Sequence, residues 1–594
     1  MICIFKLKND IRKDEELDLA RLELRSLIGK EPEPIVNFFD TMAEGDLKGF
    51  TSTNRIQDVL LRLPHLGKIQ GYRVDIEPRS ISPILRRTAY IKEVYAVLSD
   101  AQNDEELLQI LDPENVTNRK ENLVFRETEG KRVIVRMIPL SAIFDYSYAI
   151  TKRFEFDELQ TKFQRLLLHL RAGSHRIARL SGLERDVEDL VDAGDINPKY
   201  LLHNLHDFHG SQYPRMVRAL MNMLKMSEGD LFLDPFNGGG TMCFEAILMK
   251  YNAIGNEINP LFARIAEVKC NSITVVNSND FREVAERLLR DIDREIRLYR
   301  KRQRMLKPRS NDPALDTRLV DMIGSEAAME IATIRRSIDE NQDIHIRELL
   351  EVLLSDAIFR QRKIRRGPTI FKYFKRSIFY TLKGLSIYQD ILKKHHNIEL
   401  GKYEGIIGDA RKLEVPSNHV CGIVTSPPYL DAERYAGNSD ACLLALGMAA
   451  DRMALENVNM LTIGTMKSGE DLDDQKMQEL PGLAQKEIQR LTRDASEDIS
   501  RRAPSVLRYY LDMRKCINEM YRVLRKGSRS VLIVADPHFW ILRDRVVTFP
   551  NASVLVEQAK EQGFKVLEDV TIPLEKGYKR HRIQTGERCV LLEK

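Results

Sequence analysis

The chain has 594 residues, room for about four domains at roughly 150 residues each, and its 92 Lys and Arg against 88 Asp and Glu leave a net charge of only +4. Hydrophobic residues at 43% and charged residues at 30% fit a folded globular protein and exclude a disordered or fibrous chain, and no apolar run approaches the roughly 18 residues of a membrane span. The 7 cysteines (Cys3, Cys243, Cys270, Cys421, Cys442, Cys516, Cys589) are scattered and never spaced CxxC, which argues against a disulfide framework or zinc ribbon and for reduced thiols. The opening MICIFKLKNDIRKDEELD meets charges too early for a secretory apolar segment, so a cytoplasmic location with no membrane partner is expected.

Residues 1–150 mix short strands and helices: CIFKL, the helical ELDLARLELRSLIG, then NLVFRE and KRVIVRMI around a turn at Glu129-Gly130. This predicts a small α+β module. Residues 151–199 are charged and helically periodic (FDELQTKFQRLLLHLR, LERDVEDLVDAG), as a helical connector would be. The three-residue spacing of His203, His206 and His209 has no cysteine or paired carboxylate to complete a ligand set, so it reads as a surface helix end and no metal site is expected. From about 200 to 594 strands and helices alternate (LFLDP, TMCFEAILMK, NAIGNEI, LFARIAEVKC), the mark of a doubly wound parallel sheet. A charged helical insertion at 275–400 interrupts the sheet, strands resume at YEGIIGD and CGIVTS, and a polar insertion follows at 438–500. The sheet closes with the helix SVLRYYLDMRKCINEMYRVLRKG, the strand SRSVLIVAD, the helix ASVLVEQAKEQG and the strands FKVLEDV and RCVLLE.

Within the first insertion, RLYRKRQRMLKPR (297–309) and RQRKIRRGPTIFKYFKRSIFY (360–380) concentrate positive charge. Arg360, Arg362, Lys363, Arg365 and Arg366 lie beside Phe371, Tyr373, Phe374, Phe379 and Tyr380, a mixture suited to phosphate neutralisation with base stacking. The plainer alternative is a pair of solvated basic helix faces with the aromatics packed inward.

The segment LFLDPFNGGGTMCFEAILMK is an apolar strand, a glycine-rich turn and a helix, the place where open α/β sheets bind ligands. Gly238, Gly239 and Gly240 let backbone approach a ligand closely, and Asp234 at the strand end suits a cationic group. The next strand ends at Glu257, near the spacing of roughly 20 residues expected of an acid that bonds ribose hydroxyls. The lysine of a phosphate-binding loop is missing, so the pattern points to a nucleoside without a polyphosphate. Asp409 in IIGDAR ends a third strand, where it would accept a hydrogen bond from an adenine amino group or cap the following turn.

The strand CGIVT runs into Ser426-Pro427-Pro428-Tyr429. Two adjacent prolines donate no hydrogen bonds and fix the backbone, presenting rigid acceptors. An exocyclic amine on a heteroaromatic base is a poor nucleophile because its lone pair is delocalised. Acceptors holding both amino hydrogens, here Ser426 Oγ and the Pro427 carbonyl, favour a pyramidal nitrogen aimed at an electrophile. Tyr429 offers a face on which an extruded base stacks.

Taken together these residues resemble the S-adenosylmethionine-dependent amino-methyltransferases of nucleic-acid bases. DPFNGGGT resembles their cofactor motif, GNEINP the ribose-binding motif, GDAR the adenine-contacting motif and TSPPY the catalytic motif, while FHGSQYPRMVRALMNML resembles the segment that helps hold the methionine moiety. The resemblance implies a class I, Rossmann-like doubly wound domain over 200–594. It also implies cofactor contacts from Ser211, Tyr213, Pro214, Asp234, Phe236, Gly238, Gly240, Thr241, Glu257 and Asp409, with Ser426, Pro427, Pro428 and Tyr429 as the catalytic loop. The serine form of the motif is commonest among DNA cytosine-N4 enzymes, so transfer from S-adenosylmethionine to DNA cytosine N4 is the expected activity. The front, with ELDLARLELRSLIG and RRTAYIKEVYAVLSDAQNDEELLQIL, resembles the module that tRNA guanine-N2-methyltransferases couple to a THUMP RNA-binding domain. An RNA (tRNA or rRNA) amino-methyltransferase of the guanine-N2 or cytidine-N4 type is therefore the alternative, although Ser426 and Leu430 depart from that family's DPPYG. A protein glutamine methyltransferase, which uses the same kind of loop, is a more remote one.

Overall fold

The computed structural model describes residues 1–8, 11, 14–36, 69–98, 125–129, 132–154, 156–159, 161–162, 199–207, 211–305, 317–363, 367–393, 399–430, 439–449, 456, 460–465, 473–494, 496–541, 546–573 and 586–594. Most of the expected connector at 151–199, Gly130, His209, Arg365 and Arg366 lie outside them. The chain divides into two compact units, one of residues 1–201, 213–225 and 386–399 and the other of residues 202–212, 226–385 and 400–594.

The first unit carries a six-stranded antiparallel sheet. Its strands are β1 (Ile2–Leu7), β2 (Glu33–Ile35), β3 (Gly71–Asp75), β4 (Ile91–Leu98), β5 (Phe125–Glu129) and β6 (Arg132–Met137), in the order β2-β3-β1-β4-β6-β5. Helices α1 (Asp14–Ile28), α2 (Leu140–Arg153) and α3 (Pro214–Asn222) belong to the same unit. Glu23 of α1 is fully buried, and its carboxylate accepts hydrogen bonds from the N–H groups of Ala89 and Tyr90 and from the Asn222 amide at 2.7–3.3 Å. Burial pushes this carboxyl up to about 7 against those three donors.

The second unit is built on seven strands: β7 (Leu231–Asp234), β8 (Asn252–Glu257), β9 (Tyr403–Ile407), β10 (Val420–Thr425), β11 (Leu524–Asp536), β12 (Lys565–Pro573) and β13 (Gly586–Glu593). Their order is β12-β13-β11-β10-β7-β8-β9; β13 runs antiparallel to both neighbours and the other strands run parallel. This is the expected Rossmann-like doubly wound sheet, with its switch point between β7 and β10. Covered on both faces, β7 and β10 read as near-continuous apolar runs, whereas the edge strand β9 stays largely exposed. Helices α4 (Thr241–Leu248) and α5 (Pro260–Val275) follow β7 and β8, and α6 (Ala503–Val523) buries Val506, Tyr510, Met513, Ile517 and Met520 at helical spacing against the sheet. The first insertion is helical, including α7 (Ile344–Lys363) and α8 (Ile370–Ser386); in chain order these two stand between α5 and α6.

His203 and His206 are buried in a turn and do not form the expected surface helix end. His203 Nε2 pairs with Glu245 Oε1 at 2.8 Å and His206 Nε2 with Ser355 Oγ at 3.0 Å. Burial pushes the His206 imidazole down to about 4, so it is neutral at physiological pH. Among the described residues no group of three or more His, Cys, Asp or Glu is arranged to hold a metal, and no helix is long and apolar enough to cross a membrane.

The turn before β9 tolerates no side chain. The Gly401 N–H donates to the Ile247 carbonyl at 2.9 Å, and a Cβ on Gly401 would stand 1.7 Å from the Tyr251 carbonyl oxygen. Gly401→Ala should lower the melting temperature of the sheet unit by the equivalent of about 3 kcal/mol, and an unchanged melting curve would refute this close backbone packing.

Candidate active site

Because β7, β8, β9 and β10 are parallel, their carboxyl ends open on one edge of the sheet. The pocket there is lined by residues 235–239, 241 and 242 after β7, by 256–259 at the end of β8, by 408–410 after β9 and by 426–429 after β10, together with Ser211, Gln212, Phe262 and residues 461–463. Of the residues singled out from sequence, Ser211, Phe236, Gly238, Thr241, Glu257, Asp409, Ser426, Pro427, Pro428 and Tyr429 stand on this lining. Gly240 caps α4 and Asp234 is fully buried, so neither reaches the lining; Tyr213 and Pro214 belong to the first unit.

The glycine turn is forced by its backbone. Gly238 and Gly240 have φ of 48° and 77°, the left-handed region that side chains disfavour, and a Cβ on Gly240 would stand 2.8 Å from Ala266 Cβ on α5. The buried Lys269 ammonium donates to the Gly239 carbonyl. From β8, the Asn256 amide donates to the carbonyls of Pro235 at 3.0 Å and Gly408 at 3.1 Å, tying the loops after β7 and β9 together. Glu257 accepts the Gly238 N–H at 2.8 Å on one oxygen and the Asn259 N–H at 2.9 Å on the other. Burial pushes its carboxyl up against those N–H donors.

Asp234 Oδ1 accepts the Thr425 hydroxyl at 2.6 Å and the Phe236 N–H at 3.1 Å, while its buried Oδ2 has no hydrogen-bond partner among the described residues. Burial pushes this carboxyl up to about 7, against those two donors, and the nearby Glu257 charge adds to the rise. Asp409 differs. Burial alone would raise it, but the Arg411 guanidinium, which grips both of its oxygens at 2.8–3.0 Å, and the Arg411 N–H hold it below the usual carboxylate range. The same guanidinium reaches Asp512 at 2.9 Å.

The catalytic-loop candidates are braced from two sides. The Tyr509 hydroxyl donates to the Pro428 carbonyl at 3.2 Å and accepts from the Asn551 amide at 3.3 Å. The Gln212 amide donates to Ser426 Oγ at 3.3 Å and to Glu587 Oε1 at 3.0 Å. Sequence reasoning gave no role to Gln212, Asn256, Glu587 or residues 461–463. Glu587 left no distinctive trace, being one of three charged residues in the strand GERCVLLE.

The basic insertion is rearranged relative to expectation. Arg360 pairs with Asp356 at 2.8 Å and Lys363 with Asp207 at 2.7 Å, so internal carboxylates neutralise both; Arg362 is exposed at the end of α7. On α8, Tyr373 and Phe374 are buried while Lys372, Lys375, Arg376, Phe379 and Tyr380 are exposed, with Lys375 over the Phe379 ring and Arg376 over the Tyr380 ring. The helix thus divides the expected mixture into an inward aromatic face and an outward basic-aromatic one.

Residues 184–268 match the family described as DNA methylase, of the N6/N4 type. This stretch holds β7, the glycine turn and Glu257. The chain is an S-adenosylmethionine-dependent N-methyltransferase. Among relatives, the methyltransferase is 20% identical over 419 residues to the Type II methyltransferase M.MvaI of Kocuria varians, covering 65% of this chain and 87% of that one. It is 28% identical over 147 residues to a tRNA (guanine(10)-N2)-dimethyltransferase of Methanocaldococcus jannaschii, covering 25% of this chain and 35% of the relative. Among solved structures, TrmN from Thermus thermophilus aligns over 100% of both chains at 10% identity with a TM-score of 0.24, and the fold of the methyltransferase rests on its own strand order.

The raised pKa of Asp234 has a measurable sign. Between about pH 4 and pH 7 the native state keeps a proton that the unfolded chain has lost, so this residue's contribution to stability falls as pH rises through that window. In the cofactor-free protein, the stability of Asp234→Asn relative to wild type should therefore rise by about 3 kcal/mol from pH 5 to pH 8. A pH-independent difference in denaturation would show that Asp234 titrates normally.

Proposed function

We propose that the methyltransferase methylates the exocyclic amine of a base in nucleic acid, with DNA cytosine N4 preferred. One observation carries this reading: the Ser-Pro-Pro-Tyr loop after β10 opens into the same pocket as the glycine turn after β7 and Glu257 after β8. The pocket's chemistry fits S-adenosylmethionine. The buried Asp234 Oδ2, close to the glycine turn, is an acceptor without a partner among the described residues. Glu257 uses one lone pair on each oxygen for an N–H and keeps others for ribose hydroxyls, and Asp409 offers a charged acceptor at the third strand end. Ser211, Phe236, Gly238 and Thr241 complete this half of the lining. Bound S-adenosylmethionine supplies a methyl group on a sulfonium.

On the other half, Ser426 Oγ and the Pro427 carbonyl take the two amine hydrogens, and Tyr429 stacks on the extruded base. Held by the glycine turn, Glu257 and Asp409, S-adenosylmethionine would supply its methyl group to the amine nitrogen as an electrophile, and the amine proton held by Ser426 Oγ or the Pro427 carbonyl would pass to solvent. No covalent enzyme intermediate is required, so no cysteine takes part. The exposed face of α8, with Lys372, Lys375 and Arg376 beside Phe379 and Tyr380, is the surface suited to phosphates and unstacked bases.

The second reading, an RNA amino-methyltransferase, draws on the antiparallel unit at the front and on the tRNA-modifying relative. Incubation with tritiated S-adenosylmethionine and, separately, unmodified genomic DNA or total RNA, followed by nucleoside analysis, separates the two. Label in N4-methyldeoxycytidine is expected; label confined to ribonucleosides would overturn the DNA assignment. Replacing Ser426 and Tyr429 together by Ala should slow transfer by about a hundredfold or more in single-turnover assays, and full activity of that variant would remove the loop from the mechanism. Reversing Lys375 and Arg376 to Glu should weaken DNA binding and reduce the slope of log affinity against log salt by about 2; an unchanged slope would exclude this face from the interface.

A further inference from the structure

The proposed chemistry leaves Glu587 and Gln212 without a part, although both are more than nine-tenths buried and adjoin Ser426. A serine hydroxyl has one hydrogen to give and two lone pairs to receive with, and which of these faces a substrate depends on its neighbours. A glutamine amide has a donor end and an acceptor end, and it can present either one. Glu587 decides between them. The nitrogen end of Gln212 is turned toward Glu587, whose Oε1 accepts from it at 3.0 Å, and the same NH2 group donates to Ser426 Oγ at 3.3 Å. One lone pair of Ser426 is thereby occupied from behind. Its hydroxyl hydrogen, turned away from the Gln212 donor, is left for a group in the pocket, with the second lone pair beside it.

We infer that Gln212, oriented by Glu587, is a positioning residue that makes Ser426 a hydrogen-bond donor to the ring nitrogen beside the target amine. The inference rests on the base-methylation reading above and names its substrate class. A single hydroxyl that accepts from the amine and donates to the adjacent ring nitrogen matches a base whose Watson–Crick edge sets an amine next to an unprotonated nitrogen. Cytosine, with N4 beside N3, and adenine, with N6 beside N1, have this pattern. Guanine presents a protonated N1 at that edge, where two donors would meet, so the relay disfavours it.

The test is a double-mutant cycle between enzyme and base. Oligonucleotides are built around a methylation site mapped by the tritium labelling, with the target base native or replaced by its deaza analogue, 3-deazacytosine or 1-deazaadenine. Each analogue keeps the amine and loses the ring acceptor. Wild type should methylate the analogue about tenfold more slowly than the native base, the loss of one hydrogen bond. In Gln212→Leu, and in Glu587→Gln where an amide no longer fixes the orientation of Gln212, the native base should slow and the further penalty for the analogue should shrink to about twofold or less. The native-to-analogue ratio is independent of the fraction of active protein, so a variant that folds poorly still reports it. An equal analogue penalty in wild type and both variants would overturn the relay, and so would label found at guanine N2. If wild type labels no nucleic acid at all, the base-methylation reading falls and takes the relay with it, whereas an equal penalty with labelled nucleic acid overturns the relay alone.

Discussion

A parallel sheet ends in a row of backbone groups that no neighbouring strand satisfies, and every loop leaving that edge must find partners for them or for itself. Two consecutive residues of β8 meet this constraint. Asn256 donates to the carbonyls of Pro235 and Gly408, and Glu257 accepts the N–H groups of Gly238 and Asn259. The loops after β7 and β9 are thus fixed to the strand between them, and the glycine turn is held in its left-handed conformation by partners as well as by the absence of side chains. The pocket is the space these ties leave open. Gly255 belongs to the same arrangement, because a Cβ there would stand 2.2 Å from the Asn237 amide, which donates to the Tyr403 hydroxyl at 2.9 Å.

Around that frame the protein buries acidic groups at a cost that a purely structural core would avoid. Asp234, Glu257 and Glu587 all have carboxyls raised by burial, and Asp234 and Glu587 each keep one oxygen with no hydrogen-bond partner among the described residues. An unsatisfied buried acceptor costs about 1–3 kcal/mol. Such departures from local optimum gather where a structure must do chemistry. Here Asp234 lies next to the glycine turn, and Glu587 is one amide away from Ser426. The low dielectric that makes these groups expensive also strengthens whatever they hold.

Much of the site was legible because its signals are local. A strand, a glycine turn and a helix within about 20 residues fix the position of a ligand loop, and an acid at the next strand end or a Ser-Pro-Pro-Tyr run has meaning through backbone rules alone. Each such segment folds where its sequence says it will, at the carboxyl end of a strand. The histidines near residue 203 misled for the complementary reason. Their spacing suggested a surface helix end, whereas Glu245 and Ser355, 42 and 149 positions away, draw them inside. The basic run at 360–366 was legible as charge but not as available charge: Arg360 pairs with Asp356 one turn back on α7, and Lys363 pairs with Asp207, 156 positions away, only once α7 is packed.

The sequence by itself therefore determined the strand-and-helix alternation, the doubly wound sheet and the four loop segments that open on one edge, because periodicity, glycine and proline act over a few neighbouring residues. Tertiary structure decided which side chains those loops share. The bond from Thr425 to Asp234 spans 191 residues, and that from Gln212 to Glu587 spans 375. Folding also separated Phe379 and Tyr380, exposed with Lys375 and Arg376, from Tyr373 and Phe374 in the core. A contact between distant residues leaves no periodic trace in the chain, so it exists only when the sheet has brought its strand ends together.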